Sequence, residues 1–313
     1  MAIDITYSHS VFHGQIHCPA PVTPFAANGD LMLDAFAELL RWYIDDINVD
    51  GLLIAGSNGE GYVLNAEELG KVTETVVETV KGRVPFFVHV SRISSRETIM
   101  RAQIVAEAGA PGLCLTGQPY IQTATKAEIV ERFEKVAKAV PLPVMVYNSF
   151  THQQYNITPD VMRALCDVAP ICVVKDSPPS FKEALALFVE LGDRFPILHG
   201  ISATLVPSLL LGFGGLVSTG PELFGGKCRE LFEVHDMTPA ERTKINRRYG
   251  LVKDAMMLTA TPPAAIKGAL NMVGLPAGVP RDPVKPLMPR EEAHIRDILT
   301  QVGILDGPVA KRA

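Results

Sequence analysis

Short apolar runs alternate with longer stretches of helical periodicity from the first quarter of the chain onward. This alternation is typical of repeated βα units and predicts a parallel sheet. The predicted strands are compact and mostly β-branched or aliphatic: Ile16–Val22, Gly51–Ala55, Val84–Val90, Gly112–Thr116, Pro143–Tyr147, Ile171–Lys175, Pro196–His199 and Gly215–Ser218. The amphipathic segments between them include Leu33–Ile47, Ala66–Val80, Glu97–Ala108, Lys126–Val140 and Pro159–Cys166.

Eight such units favour a closed (β/α)₈ TIM barrel, class α/β, over about residues 12–235. A doubly wound open sheet alternates in the same way, but it usually carries a Gly-rich dinucleotide turn after its first strand, and none is present here. Helical patterns at Pro239–Leu258 and Pro263–Val273, and a last helix at Arg290–Val302, follow the barrel. We therefore expect residues 236–313 to form a C-terminal helical extension packed on the barrel.

The composition and charge of the chain indicate what kind of partner it binds. Hydrophobic residues make up 47% of the 313 residues, enough for a large core, and the net charge of −5 comes with scattered basic residues. We therefore expect a small-molecule ligand and neither nucleic acid nor membrane as a partner. The five cysteines show no CxxC spacing, and there is no signal-peptide pattern or long apolar run. This favours a cytoplasmic protein with free thiols.

The active site of a TIM barrel lies at the C-terminal ends of its strands, so the residues that close each apolar run are candidates for chemistry. Strand six ends in Val174-Lys175-Asp176. The neutral amine of a desolvated lysine attacks a ketone to form a Schiff base. A lysine at this position can instead begin a surface loop, so Lys175 alone is weak evidence.

Two other strand ends carry polar groups. Strand five ends in Tyr147-Asn148, and a phenol beside a lysine can shuttle protons, although a hydrogen-bonded core tyrosine is the commoner case. Strand two is followed by Gly56-Ser57-Asn58-Gly59-Glu60, whose hydroxyl, amide and backbone N–H groups can hold a carboxylate. The turn lacks the spacing and the Lys-Ser/Thr ending of a phosphate-binding loop.

The order and spacing of these three motifs resemble those of the dihydrodipicolinate synthase / N-acetylneuraminate lyase family of class I pyruvate aldolases. The resemblance covers nearly the whole chain. It also includes, in chain order, Pro21-Val22-Thr23-Pro24-Phe25, Gly82-Arg83-Val84-Pro85, Ala106-Glu107-Ala108-Gly109-Ala110, Gly212-Phe213-Gly214-Gly215, Lys267-Gly268-Ala269-Leu270 and Gly278…Arg281…Pro283…Pro286-Leu287. Each motif is common by itself, but the ordered set is specific.

The resemblance implies a Schiff base between Lys175 and a 2-oxo acid such as pyruvate, with Tyr147 as the proton shuttle. It implies that Ser57 and Asn58 bind the carboxylate and that Gly200 and Val217 line the pocket. The imine acts as an electron sink, so C3 becomes nucleophilic or is released in a retro-aldol cleavage. No metal and no organic cofactor are implied, and a homo-oligomer, a tetramer of two tight dimers, is common in the family.

The chain also departs from the family pattern. Asn58 replaces a second hydroxyl residue, and Pro119-Tyr120-Ile121 places Ile121 where the family has its relay tyrosine, which leaves Tyr120 as a candidate substrate contact, as is His152. His152 stands where dihydrodipicolinate synthases carry an arginine for the aldehyde's carboxylate, and a histidine cannot form the same bidentate pair. Phe150 stands where a proline is usual. These departures favour another aldolase or lyase of the family, for example one that acts on a 2-keto-3-deoxy sugar acid.

Other residues receive weaker predictions. His9, His13 and His17 have helical ligand spacing but no carboxylate partner, so we expect no metal site there. Lys267 lies in a helical apolar pattern and is predicted to extend its amine to solvent. His199 ends strand seven, and packing and substrate contact are equally good interpretations of it.

Four functions remain open on these grounds. The leading one is a Schiff-base-forming lyase, and the nearest alternative is a 2-oxo acid dehydratase or deaminase that uses the same imine. Genuine dihydrodipicolinate synthase activity would require His152 to replace the arginine. A non-catalytic barrel that binds a 2-oxo acid is the alternative from a different class.

Overall fold

The computed structural model describes residues 14–217 and 219–305. In this part of the chain the strands are β1 (Ile16–His17), β2 (Leu52–Ile54), β3 (Phe86–His89), β4 (Leu113–Leu115), β5 (Val144–Ser149), β6 (Ile171–Ser177), β7 (Ile197–His199) and β8 (Gly215–Leu216). The α-helices are α1 (Leu33–Asp45), α2 (Ala66–Val80), α3 (Ser95–Glu107), α4 (Lys126–Ala139), α5 (Phe150–Gln153), α6 (Pro159–Val168), α7 (Phe181–Leu191), α8 (Leu205–Leu210), α9 (Pro239–Thr259), α10 (Pro262–Met272) and α11 (Pro289–Gln301). Two 3₁₀ segments, Ser202–Thr204 and Pro221–Glu233, complete the described elements, the second with a kink at Gly225.

The strands form one parallel sheet in the order β1-β8-β7-β6-β5-β4-β3-β2. Backbone hydrogen bonds bring its two edges together: the N–H of Leu53 donates to the carbonyl of Pro19 (3.0 Å), and that of Asp50 donates to the carbonyl of His17 (2.9 Å). The sheet is therefore the (β/α)₈ TIM barrel that the pattern predicted. Its C-terminal rim brings the residues after β2, β5 and β6 to one end of the molecule.

Alternating strand residues point to two cores. The barrel interior holds residues two apart along several strands: Ile16, Cys18, Ala20, Leu53, Phe87, Cys114, Met145, Tyr147, Cys172, Val173, Leu198 and Val217. The other face of the strands packs against the surrounding helices in a larger cluster. The small residue Gly215 of β8 allows β1 to approach, because its φ is +134° and a Cβ there would lie 2.1 Å from the carbonyl oxygen of Ile16.

Local signals explain the helix starts. The capping boxes at Asn65/Glu68, Thr125/Glu128 and Thr238/Glu241 begin α2, α4 and α9. Helices α9 to α11 share a third apolar cluster with Val22 and Leu39, which lie in the first βα unit. The boundary at residue 235 remains a prediction. No helix in the described ranges has the length and apolar character needed to cross a membrane.

The prediction for Lys267 is wrong. Its side chain on α10 is 1% exposed and forms an ion pair with the equally buried Glu60. The amine also donates to the carbonyl of Val279 (2.8 Å) and lies 4.4 Å from the ring centroid of Phe25. The lysine turns inward because Glu60, brought close by the turn after β2, offers a carboxylate that solvent does not reach.

Candidate active site

The lysine and tyrosine predicted to carry the chemistry are neighbours across two strands. The register of β5 and β6 pairs Tyr147 with Lys175, and the residues two positions earlier, Met145 and Val173, lie in the barrel interior. Nζ of Lys175 is 3.9 Å from the ring centroid of Tyr147, and each residue is 6% exposed. An amine and a phenol therefore meet at the C-terminal rim, almost shielded from bulk water.

The turn after β2 is held in place by hydrogen bonds on several sides. The hydroxyl of Thr23 donates to the carbonyl of Gly59 (2.7 Å), and the N–H of Glu60 donates to the carbonyl of Ser57 (3.2 Å). The side-chain amide of Asn58 donates to the hydroxyl of Thr219, which follows β8. One amide hydrogen of Asn58 is thus already engaged, whereas no hydrogen bond from another described residue ties the Ser57 hydroxyl.

Gly200 and Val217 follow β7 and β8. The N–H of Gly200 donates to the carbonyl of Asp176 (2.9 Å), and a Cβ on this glycine would lie 2.1 Å from the hydroxyl oxygen of Ser177. Val217 is 3% exposed and belongs to the same interior cluster as Tyr147. Both residues therefore lie on the inner side of the rim, toward the barrel axis, where a pocket wall would be.

A cavity of about 320 Å³ opens at this rim above the ends of β2 to β5. It reaches Ser57, Tyr120, Tyr147 and His152, but Lys175, Asn58, Gly200 and Val217 do not line it. Tyr120 lies at the mouth, 81% exposed and with a positive φ of 72°. The structure thus places one group of predicted residues around the cavity and the other group deeper or nearer to β8.

His152 lies on the short helix α5, directly after β5. Its Nδ1 shares a hydrogen bond with the hydroxyl of Ser149, and its ring centroid is 5.9 Å from that of Tyr147. Desolvation, and then the charge of Lys175, hold the pKa of His152 below its ordinary value. The lowered pKa favours the neutral form of this imidazole.

The sequence analysis missed several residues that line the cavity, among them His89, Ser91 and Thr116. His89 ends β3, Thr116 directly follows β4, and the ring of His89 is 6.3 Å from that of Tyr147. Burial lowers the pKa of His89 to about 3, so this ring is also neutral. The rule that selected Lys175, inspection of the end of each strand, would have found them.

A network of amides lies behind the lysine. Asn148, next to Tyr147, donates from Nδ2 to Asp176 (2.8 Å) and to Asn156 (2.7 Å), and its Oδ1 accepts from Gln153 (3.0 Å) and from the N–H of Ile157 (3.0 Å). Burial raises the pKa of Asp176 to about 7. The network connects β6 to the segment after α5 and so fixes both strands that carry the amine and the phenol.

Packing explains His199, which does not line the cavity. Its preceding residue Leu198 points into the barrel, so the imidazole points outward. There Nε2 is 2.7 Å from the hydroxyl of Thr204, and the ring makes edge contacts with Phe181 and Phe213.

Of the three histidines near the N-terminus, only His17 lies within the described residues; His9 and His13 lie outside them. His17 is buried, and its backbone N–H donates to Asp50 (2.8 Å). Across the described ranges no three His, Cys, Asp or Glu side chains gather as metal ligands would.

A (β/α)₈ barrel with a shielded lysine beside a tyrosine at its C-terminal rim defines a lyase of the class I aldolase type. Comparison with known proteins agrees, because the profile of the Dihydrodipicolinate synthetase family matches residues 14–302. The chain belongs to this family. The enzymes of the family use a lysine imine with the substrate rather than a separate cofactor.

Curated relatives and solved structures extend this result. The chain is 31% identical over 291 residues to the 4-hydroxy-tetrahydrodipicolinate synthase of Nitratidesulfovibrio vulgaris (strain DSM 19637 / Miyazaki F), covering 91% of this chain and 97% of that protein. It resembles the structure of YagE from E. coli K12 in complex with pyruvate, with a TM-score of 0.84, 28% identity, and coverage of 93% and 99% of the two chains. The dihydrodipicolinate synthase of Aquifex aeolicus gives the same TM-score at 25% identity, with 95% and 100% covered.

Proposed function

We propose that this protein makes or cleaves a carbon–carbon bond of a 2-oxo acid through an imine at Lys175. One observation carries the proposal: the register of β5 and β6 holds Nζ of Lys175 3.9 Å from the ring of Tyr147, with both side chains 6% exposed. The structure of YagE, at 28% identity, was determined with pyruvate, which supports a pyruvate-type substrate.

The chemistry follows from the groups present. The neutral amine of Lys175 attacks the C2 carbonyl, and Tyr147 passes protons as the carbinolamine loses water. The hydroxyl of Ser57 and the N–H groups of its turn face the carboxylate, with Asn58 holding the turn against Thr219 and its remaining N–H as a second donor. Gly200 and Val217 form the opposite wall, and Tyr120 and His152 contact the other half of the substrate.

Reductive trapping tests the imine. The full chain is incubated with pyruvate and sodium borohydride, and the intact mass and the peptide map are measured. We expect an addition equal to pyruvate less one water plus two hydrogens, located on Lys175. The Lys175→Ala variant should lose both the adduct and turnover, whereas Lys182→Ala, an exposed lysine at the start of α7, should keep both. Normal turnover by Lys175→Ala would exclude the proposal.

Product analysis separates the related reactions. An aldolase yields pyruvate and an aldehyde, whereas a dehydratase or deaminase that uses the same imine keeps the carbon chain intact. A sugar-acid substrate would give a hydroxylated aldehyde, and condensation with aspartate semialdehyde would indicate 4-hydroxy-tetrahydrodipicolinate synthase activity, the name of the curated relatives. Binding of pyruvate with no covalent imine and no turnover of any candidate would favour a binding protein.

We also propose that the enzyme is a homo-oligomer and lies in the cytoplasm. A homo-oligomer is supported by the exposed Tyr120 and Ile121 beside the cavity mouth, which a second copy would cover. A cytoplasmic location is supported by the absence of a disulfide among five cysteines, four of which are buried. Sedimentation velocity measures the oligomeric state, and cell fractionation measures the location.

A further inference from the structure

The cavity beside Tyr147 has a ring-rich wall, and the two charged residues of its described lining, Arg92 and Glu97, pair with each other. The rings and apolar groups that line it are those of Tyr62, Tyr120, Tyr147, His89, His152, Ile93 and Pro119. Desolvation lowers the pKa of both imidazoles, that of His89 to about 3, which favours their neutral forms. A volume of about 320 Å³ lies at the small end of the range for ligand pockets, about 300–1,000 Å³. The wall thus favours a small ligand with an apolar face.

Arg92 is the one arginine or lysine of the described cavity lining, and three of the five N–H groups of its guanidinium face protein partners. Nη1 donates to the carbonyl of Tyr62 (3.1 Å), Nη2 donates to that of Leu64 (2.8 Å), and Nε pairs with Glu97 (3.2 Å). The side chain is only 18% exposed. Because Glu97 balances its charge and each of its three nitrogens already has a protein partner, Arg92 is a weaker clamp for a ligand carboxylate than an unpaired guanidinium.

The hydroxyl groups near the cavity are also partly engaged. Ser149 shares its hydrogen bond with His152, and the hydroxyl oxygen of Ser91 accepts the N–H of Thr116 (2.9 Å). A polyhydroxylated ligand needs several free partners, since each buried hydroxyl without one costs about 1–3 kcal/mol. Among the buried side-chain atoms of the described lining, Nε2 of His89 is the one without a partner, and a single free nitrogen does not serve several hydroxyl groups. Aromatic rings, in contrast, pack favourably on the faces and edges of other rings.

We infer that the aldehyde which this enzyme joins to pyruvate, or releases from the larger 2-oxo acid, is uncharged and aromatic. This inference rests on the proposed imine at Lys175 and adds the substrate class of its second half. His152 is the residue that sets this specificity, because its ring lies in the cavity wall, with its centroid 5.9 Å from that of the Tyr147 ring.

The bond changes balance for such a substrate. Imine formation at Lys175 releases one water, and loss of a C3 proton gives the enamine. C3 then bonds to the aldehyde carbon, and the resulting alkoxide takes a proton in place of the one lost from C3. Hydrolysis of the product imine takes up one water and frees the amine, so pyruvate and the aldehyde give a 4-hydroxy-2-oxo acid with no other reactant. The cleavage direction reverses these steps.

Competition among three aldehydes tests the inference. The full chain is given pyruvate with benzaldehyde, D-glyceraldehyde or succinic semialdehyde, and the 4-hydroxy-2-oxo acid products are measured by liquid chromatography and mass spectrometry. We expect kcat/KM for benzaldehyde to exceed each of the others by about tenfold or more, the size of effect that one matched pocket contact gives. Borohydride trapping of pyruvate alone is run in parallel.

Variants at two adjacent positions of α5 show whether the cavity wall determines which aldehyde the enzyme prefers. His152→Arg should move the ratio of succinic semialdehyde to benzaldehyde by about tenfold or more toward the charged aldehyde, because a guanidinium pairs with a carboxylate. Thr151→Arg adds the same charge on the exposed side of α5, away from the cavity lining, and should leave the ratio unchanged. His152→Gln keeps the wall neutral and should retain the preference for benzaldehyde.

The outcomes are distinguishable. Absence of a Lys175 adduct would overturn the proposed function itself. An adduct together with preference for glyceraldehyde or succinic semialdehyde, or with no turnover of benzaldehyde, would overturn the inference and leave the imine in place. Equal ratios in His152→Arg and the parent protein would show that this residue does not determine specificity. Circular dichroism and the trapped adduct confirm that each variant is folded.

Discussion

The ion pair between Lys267 and Glu60 connects the candidate site to the C-terminal helices. Both side chains are almost completely buried, at 1% and 0% exposure. The second carboxylate oxygen of Glu60 accepts the backbone N–H of Arg281 (2.9 Å). Glu60 closes the turn that carries Ser57 and Asn58, so the pair fixes this turn against α10 from a position 207 residues away in sequence.

Replacing Lys267 by Met keeps most of the side-chain volume but leaves a buried carboxylate without its cation. Removing one partner of a buried ion pair costs about 3–5 kcal/mol. At about 2–4 °C per kcal/mol, Tm should fall by about 6–20 °C. The double variant Glu60→Gln/Lys267→Met removes both charges, so its loss should be smaller, about 1–3 kcal/mol for the hydrogen bonds that remain unmade.

Urea unfolding of the parent protein, both single variants and the double variant at pH 7, followed by circular dichroism, gives the coupling free energy. Lys285→Met is the matched control, because this lysine forms an exposed pair with Asp282, both 80% exposed, and should change stability by no more than about 0.5 kcal/mol. A double variant that loses the sum of the two single losses would refute the reasoning. KM for pyruvate should rise in Lys267→Met more than kcat falls, since the carboxylate turn loosens.

Other predictions follow from single residues. Burial raises the pKa of Asp176 to about 7, so the native state holds a proton that the unfolded state releases at lower pH. The free energy of unfolding should therefore fall between about pH 4 and about pH 7. Urea titrations across that range should show a less steep fall in Asp176→Asn. Gly215→Ala places a methyl group against the Ile16 carbonyl and should cost about 2–5 kcal/mol in the same assay; an unchanged midpoint would contradict the close approach. Tyr147→Phe should lower kcat by about 10²–10⁴-fold in steady-state assays while borohydride still traps pyruvate on Lys175, and undiminished kcat would remove the phenol from proton transfer.

The order of elements and the location of the site were predictable from local patterns. Apolar runs and amphipathic periods located the barrel strands, because each run is buried on both faces of a parallel sheet. Helix α2 runs from Ala66 to Val80, as its pattern predicted. Since TIM barrels place chemistry at strand ends, Lys175 and Tyr147 could be selected before their separation was known.

Contacts between distant segments were decided by the tertiary structure. The inward turn of Lys267 depends on Glu60, and the outward direction of His199 depends on the register of a three-residue strand too short to show alternation. The orientation of the Arg92 guanidinium depends on carbonyls from the segment after β2. Local patterns indicate which residues are buried. The closed barrel decides which distant segments meet, and this determines whether a buried charge or ring contacts a partner, a cavity or another part of the core.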